Sequence, residues 1–245
     1  MSYWDLVNRV VHQADILILV LDARLPTETR NSEIEKKVAG LKKPLIFVIN
    51  KSDLVDRPTL EALKKKIKNS VFISAKKHEG LIYLRERIGI AAQRANIKGT
   101  AKIGVLGYPN VGKSSLINSL RGRESAPVSS MSGQTKRIQN IRTSTTLMFL
   151  DTPGVIPYNE KNSIKHAMIG TIDHTKEKNP DLVVARLIQE FPGIVGKYYG
   201  VVEDDEVIEH IARKRNLVAK GNVPDINRAA RMILKDWQTG KITKK

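Results

Sequence analysis

The sequence predicts an α/β fold: a mostly parallel six-stranded sheet flanked by helices, followed by a small all-α domain. Three observations predict it. Short apolar, β-branched runs alternate with stretches of helical periodicity as far as residue 150, the pattern of strand–helix–strand units. The loop Gly107-Tyr108-Pro109-Asn110-Val111-Gly112-Lys113-Ser114 lies between one such run and a helical pattern, and fits G-x-x-x-x-G-K-[ST] at every fixed position. Beyond residue 160 only helical patterns remain. These observations place one domain over residues 1–160 and a second over 161–245.

Taken in order, Ser2 to Gln13 carries Tyr3, Leu6, Val7, Val10 and Val11 at the spacing of an amphipathic helix. Asp15 to Asp22 is almost continuously apolar, as a strand covered on both faces must be. Asn31 or Ser32 can cap a short helix through Val38. Leu45 to Ile49 is a second strand, Pro58 to Lys68 a helix with Pro at its start, and Val71 to Ile73 a third strand. A longer helix runs from Gly80 to about Asn96, and Ala101 to Leu106 is the fourth strand. Ile138 to Arg142 and Thr146 to Leu150 read as two more, split by polar residues. Four helices are expected afterwards: Ser163 to Lys176, Pro180 to Phe191, Asp204 to Lys214 and Asp225 to Trp237.

The glycine loop carries the chemistry. A strand before it and the Ser115-Leu116-Ile117 helix start after it let backbone N–H groups close around an anion at a helix N-terminus. Lys113 would reach the outer phosphates of a nucleotide, and the Ser114 hydroxyl would bind Mg²⁺. Val111, Gly112 and Ser115 complete the contact surface.

Asn50-Lys51-Ser52-Asp53 follows the second strand and fits N-K-x-D. The Asp53 carboxylate can accept from both the ring N–H and the exocyclic amine of guanine, a pair that adenine lacks. Asn50 would tie loops together and the Lys51 stem would cover the base. Ser74-Ala75-Lys76 after the third strand resembles the loop whose backbone reads the guanine oxygen. Asp151-Thr152-Pro153-Gly154 fits D-x-x-G: Asp151 acts on Mg²⁺, usually through water, and the Gly154 N–H touches the γ-phosphate. The polar stretch Ser125 to Ile138 reads as a first switch. Within it Thr135 is preferred over Ser129, Ser130 and Ser132 as the Mg²⁺-binding residue of the GTP state.

The order of these motifs is unusual. In ordinary GTPases the phosphate loop comes first and the guanine motifs last; here the guanine motifs come first and D-x-x-G last. Through Asp22-Ala23-Arg24-x-Pro26, Asn50 to Asp53, Gly107 to Ser115 and Asp151 to Gly154, the chain resembles the circularly permuted GTPases of ribosome assembly. They include large-subunit assembly factors of bacteria, archaea and organelles. The resemblance implies a permuted P-loop GTPase domain and a helical domain contacting RNA or the ribosome. It further implies GTP and GDP as ligands with Mg²⁺, and ribosomal RNA or a ribosomal subunit as partner.

Composition agrees with a polyanionic partner. The net charge is +17, and no acidic block offsets it. The excess is spread along the chain, with 26 Lys and Arg against 14 Asp and Glu through Glu160, and 16 against 11 after it. In the last two expected helices Arg213-Lys214-Arg215 either completes a helix dipole or touches RNA, and Arg228, Arg231 and Lys235 share a face open to the same two roles. There is no cysteine, so disulfides and cysteine-based metal sites are excluded. The longest apolar run, Ile16 to Leu21, is too short to cross a bilayer. A cytoplasmic protein, monomeric and without a membrane partner, is the expectation.

Hydrolysis is the least legible part. Val155 stands where many GTPases place a water-orienting Gln. Some members of the resembling family use a His from an N-terminal extension. The residues before Asp15 are expected to be too few to supply it, and His12 has the wrong spacing. Asn110 matches the loop asparagine that holds K⁺ in related GTPases, which makes K⁺ a candidate cofactor; the candidate catalytic groups are Lys113 and Gly154 at the phosphates and Thr135 at Mg²⁺. The expected activity is slow GTP hydrolysis. The alternatives are a GTPase switch with another RNA or protein client, and a GTP-binding scaffold with negligible hydrolysis.

Overall fold

A computed structural model describes residues 3–122, 137–157 and 160–245. The chain divides into two compact units, Met1–Glu160 and Lys161–Lys245.

The first unit is built on six strands: β1 Ile16–Asp22, β2 Leu45–Asn50, β3 Ser70–Phe72, β4 Ala101–Leu106, β5 Gln139–Arg142 and β6 Leu147–Asp151. Their order is β3-β2-β1-β4-β6-β5, parallel except for β5 at the edge. Helices α1 Tyr3–Gln13, α2 Ser32–Gly40, α3 Arg57–Lys66, α4 Leu81–Arg94 and α5 Lys113–Arg121 connect and cover them. All seven residues of β1 are buried, as its unbroken apolar sequence requires for a central strand covered on both faces. Asn31, not Ser32, caps α2: its side chain accepts from the backbone N–H groups of Glu33 and Ile34 at 3.1 Å each. Asp56 caps α3 through Thr59, which starts that helix one residue before its Pro.

The parallel arrangement decides where function can gather. The loops after β1, β2, β3, β4 and β6 all leave from carboxyl ends, so they share one edge of the sheet. The four sequence motifs follow β2, β3, β4 and β6.

The second unit contains α6 Ser163–Met168, α7 Pro180–Glu190, α8 Ile194–Tyr199, α9 Val207–Lys214 and α10 Ile226–Gln238. Its core surrounds Trp237, which is fully buried, donates from Nε1 to the Met168 carbonyl at 2.8 Å and stacks on Phe191. Three features differ from the sequence reading. Helix α6 stops at Met168 instead of continuing to Lys176, because Gly170 turns left-handed and the Thr171 and Ile172 N–H groups fold back onto the His166 carbonyl. The short α8, bounded by left-handed Gly193 and Gly200, is an element beyond the four helices expected in this unit. A two-stranded hairpin, β7 Val218–Ala219 with β8 Val223–Pro224, joins α9 to α10 through a turn with Gly221 and Asn222 at positive φ.

Candidate functional site

The loop after β4 is held in a shape that glycine alone permits at two positions. Gly107 has φ 143°, and a Cβ there would meet the Val20 carbonyl oxygen at 2.5 Å. Gly112 has φ 95°, and a Cβ there would meet the Asn50 side-chain nitrogen at 2.3 Å. Helix α5 starts immediately afterwards at Lys113, so its first N–H groups face the loop's interior.

Asn50 joins three motifs. It is buried at the end of β2, donates from Nδ2 to the Val111 carbonyl at 2.8 Å and accepts at Oδ1 from the Ala75 N–H at 3.1 Å. One side chain thus connects the N-K-x-D segment, the phosphate loop and the Ser74–Lys76 loop. Ser119 in α5 adds a second link, donating to the Ala75 carbonyl at 2.8 Å. The Ser74–Lys76 loop is closed by reciprocal backbone bonds between Ser74 and Glu79 at 3.1 Å, and Ser74 and Ala75 are buried within it while Lys76 is exposed. Asp53 lies in a one-turn 3₁₀ helix, Ser52–Leu54, half-buried beside this junction.

Lys113 is buried, and its ammonium donates to the carbonyls of Gly107 and Tyr108 at 3.1 and 2.8 Å. Burial lowers its pKa to about 8, against the opposing pull of Asp151. A phosphate would add the negative charge that this lysine is short of. The Ser114 hydroxyl donates to Asp151 Oδ2 at 2.8 Å. A hydroxyl and a buried carboxylate side by side form a hard-oxygen donor set that suits Mg²⁺.

The Asp151–Gly154 segment is pinned to the same frame. The Thr152 hydroxyl donates to the Val105 carbonyl at 2.6 Å, and the Val155 N–H donates to the Gly107 carbonyl at 3.2 Å. A Cβ on Gly154 would meet the backbone nitrogen and Cα of Pro109 at 2.4 Å, so this glycine lies against the phosphate loop because it has no side chain. Val155 is 3% exposed and belongs to the hydrophobic core, so its side chain cannot orient a water. Asn110 sits in the loop at φ 61°, a conformation asparagine tolerates. Val111 is buried and Ser115 half-buried. Thr135, like the other candidates of the first switch from Ser129 to Ser132, lies outside the described residues.

Asp22 and Arg24 join the site only through the fold. Asp22, at the carboxyl end of β1, is buried with Arg24, whose Nε and Nη2 donate to its two oxygens at 3.1 and 2.9 Å. Lys51 Nζ donates to Asp22 Oδ2 at 2.7 Å. Burial would raise the Asp22 pKa, but the two cations outweigh it and hold the carboxyl well below the usual range. The sequence signal was present in Asp22-Ala23-Arg24, but its connection to Lys51, 29 residues away, was not.

The basic residues of the second unit are sorted by their contacts. Arg213 pairs with Glu209, Lys214 donates to the Gly200 carbonyl and Arg215 lies over the Tyr199 ring, so each member of the exposed triplet has a contact within its own unit. Arg231 bonds the carbonyls of His174 and Thr175. Lys220 on the hairpin, Arg228 and Lys235 are exposed. Among the described residues no helix is long and apolar enough to cross a membrane.

Known proteins place this arrangement. The family model described as RsgA GTPase matches residues 5–158, and the model described as 50S ribosome-binding GTPase matches residues 102–220. An uncharacterized GTP-binding protein of Methanocaldococcus jannaschii is 38% identical over 97% of this chain and 65% of its own length. Nucleolar GTP-binding protein 2 of Neurospora crassa is 32% identical over 98% of this chain and 40% of its own. The chain therefore spans about two fifths to two thirds of the length of these curated relatives. The crystal structure of GNP-bound YlqF from T. maritima shares the fold, with TM-score 0.69 and 24% identity over 97% of this chain and 94% of that one.

Proposed function

The chain belongs to the RsgA GTPase family, and we propose that it is a circularly permuted, GTP-hydrolysing switch of ribosome assembly, acting on ribosomal RNA or pre-ribosomal particles. The observation that carries the nucleotide half is the Asn50 junction. It gathers the guanine-selecting loop, the phosphate loop and the Ser74–Lys76 loop at one edge of the sheet.

In this reading Asp53 accepts from the guanine edge, the loop N–H groups and Lys113 hold the phosphates, and the Gly154 N–H senses the γ-phosphate. Ser114 and Asp151, with Thr135, would hold Mg²⁺, which when bound neutralises charge developing on the transferred phosphoryl group. The buried Val155 leaves the attacking water without a side chain from that position, which supports a slow intrinsic rate. Asn110 is the residue proposed to hold K⁺ as a partial substitute for an arginine finger.

The RNA half rests on the charge of +17 and on the names of the relatives. Lys220, Arg228 and Lys235 are among the exposed cations of residues 161–245, and are the ones proposed to meet phosphates. The test is sedimentation with ribosomal subunits. Co-sedimentation with a non-hydrolysable GTP analogue but not with GDP is expected. Equal sedimentation in both states would remove the switch, and none in either would remove the ribosomal partner.

A further inference from the structure

We propose that Asp22, held by Arg24, is a positioning residue for guanine recognition: it fixes the ammonium of Lys51 so that the lysine stem is in place before the base arrives. The inference rests on the nucleotide reading of the site and goes beyond it by adding two residues from the end of β1.

Lys51 occupies the second position of N-K-x-D with left-handed backbone, φ 61° and ψ 31°, so its stem leaves the chain at an angle set by the loop. The segment is fixed on its far side by the Ser52 N–H on the Ile73 carbonyl at 3.1 Å. A lysine on a loop has four rotatable side-chain torsions. Ordering them only when a ligand binds would weaken affinity by about ten- to thirtyfold. Here the ordering is done by Asp22, whose Oδ2 accepts from Nζ at 2.7 Å.

Asp22 is itself immobilised. Its carboxylate takes the forked Nε and Nη2 pair of Arg24, its N–H donates to Thr29 Oγ1 at 3.1 Å, and that hydroxyl donates to the Leu25 carbonyl at 2.7 Å. Asp22 is 1% and Arg24 2% exposed. Two cations on one carboxylate give the guanidinium a purpose: it neutralises and orients the buried Asp22, whose Oδ1 also accepts from the Arg24 N–H at 3.0 Å, and leaves the second acceptor site of Oδ2 to Lys51. Asp22 pairs with Asn50 in the β1–β2 register, so the anchor and the loop it serves start from adjacent strands.

The test separates the base from the phosphates. Binding of GTP and of inorganic tripolyphosphate is measured with Mg²⁺ for the wild type, Asp22→Asn, Lys51→Met and the double variant. Asp22→Asn is expected to weaken GTP about ten- to thirtyfold and to leave tripolyphosphate unchanged. In the Lys51→Met background, Asp22→Asn should add nothing. Equal loss of GTP and tripolyphosphate would show Asp22 to be merely structural, and unchanged GTP affinity would also overturn the proposal. Should Asp22→Asn fail to fold by circular dichroism, Lys51→Met decides alone: undiminished GTP binding would overturn it. A wild type that prefers neither GTP nor GDP over ATP would instead sink the nucleotide reading, and this inference with it.

Discussion

Replacing Asn50 tests whether the site is one assembly or three loops that happen to be neighbours. In Asn50→Ala the Val111 carbonyl and the Ala75 N–H both lose a buried partner, at 2.8 and 3.1 Å respectively. Each unpaired group costs about 1–3 kcal/mol, so the closed arrangement should lose about 2–6 kcal/mol. Water entering the vacated space offsets part of this, which makes the lower end the expectation: GTP affinity weaker by at least about thirtyfold. Asn50→Asp is the sharper variant. Its carboxylate can still accept from Ala75 but sets an oxygen against the Val111 carbonyl, two acceptors facing each other. It should bind no better than Asn50→Ala at neutral pH. On acidification the carboxyl gains a proton and can donate again, so the bound state holds more protons and affinity should recover as pH falls. The assay is titration with a fluorescent guanine nucleotide between pH 5 and 8. Wild-type affinity in either variant, or the same pH profile in both, would refute the junction.

Asp53→Asn should lose GTP and gain xanthosine triphosphate, because the amide is complementary to a ring carbonyl; unchanged GTP affinity in a competition assay would remove the assignment. Nucleotide binding should take up protons at alkaline pH. Burial lowers the unliganded Lys113 pKa to about 8 and phosphates raise it, so uptake should be larger at pH 9 than at pH 7, with affinity falling as pH rises through 8. Calorimetry in buffers of different ionisation enthalpy measures this, and zero uptake at pH 9 contradicts it. Hydrolysis should be faster in K⁺ than in Na⁺ at matched ionic strength, and Asn110→Ala should abolish the difference; equal wild-type rates in the two salts count against a K⁺ site.

The sequence by itself determined the elements and the motifs, because both are written in local patterns. The apolar run of β1 encodes a doubly covered strand, and Gly107 and Gly112 encode a loop that no other residues could form. The order of motifs along the chain revealed the permutation without any coordinates. Tertiary structure decided what acts on what. Asn50 meets Val111 across 61 residues, and Lys51 meets Asp22 across 29; neither pairing follows from spacing, because it depends on β2 lying next to β1 and on β4 following on its other side. Val155 was legible as a missing glutamine, but only packing showed its side chain turned into the core. The early end of α6 and the hairpin after α9 escaped for a related reason: each is fixed by left-handed glycine or asparagine geometry that short sequence windows do not resolve. The basic triplet Arg213-Lys214-Arg215 reads the same for either role in the sequence, and only the fold supplies its contacts to Glu209, Gly200 and Tyr199. A charge is visible in a sequence, whereas its partner is a property of the fold.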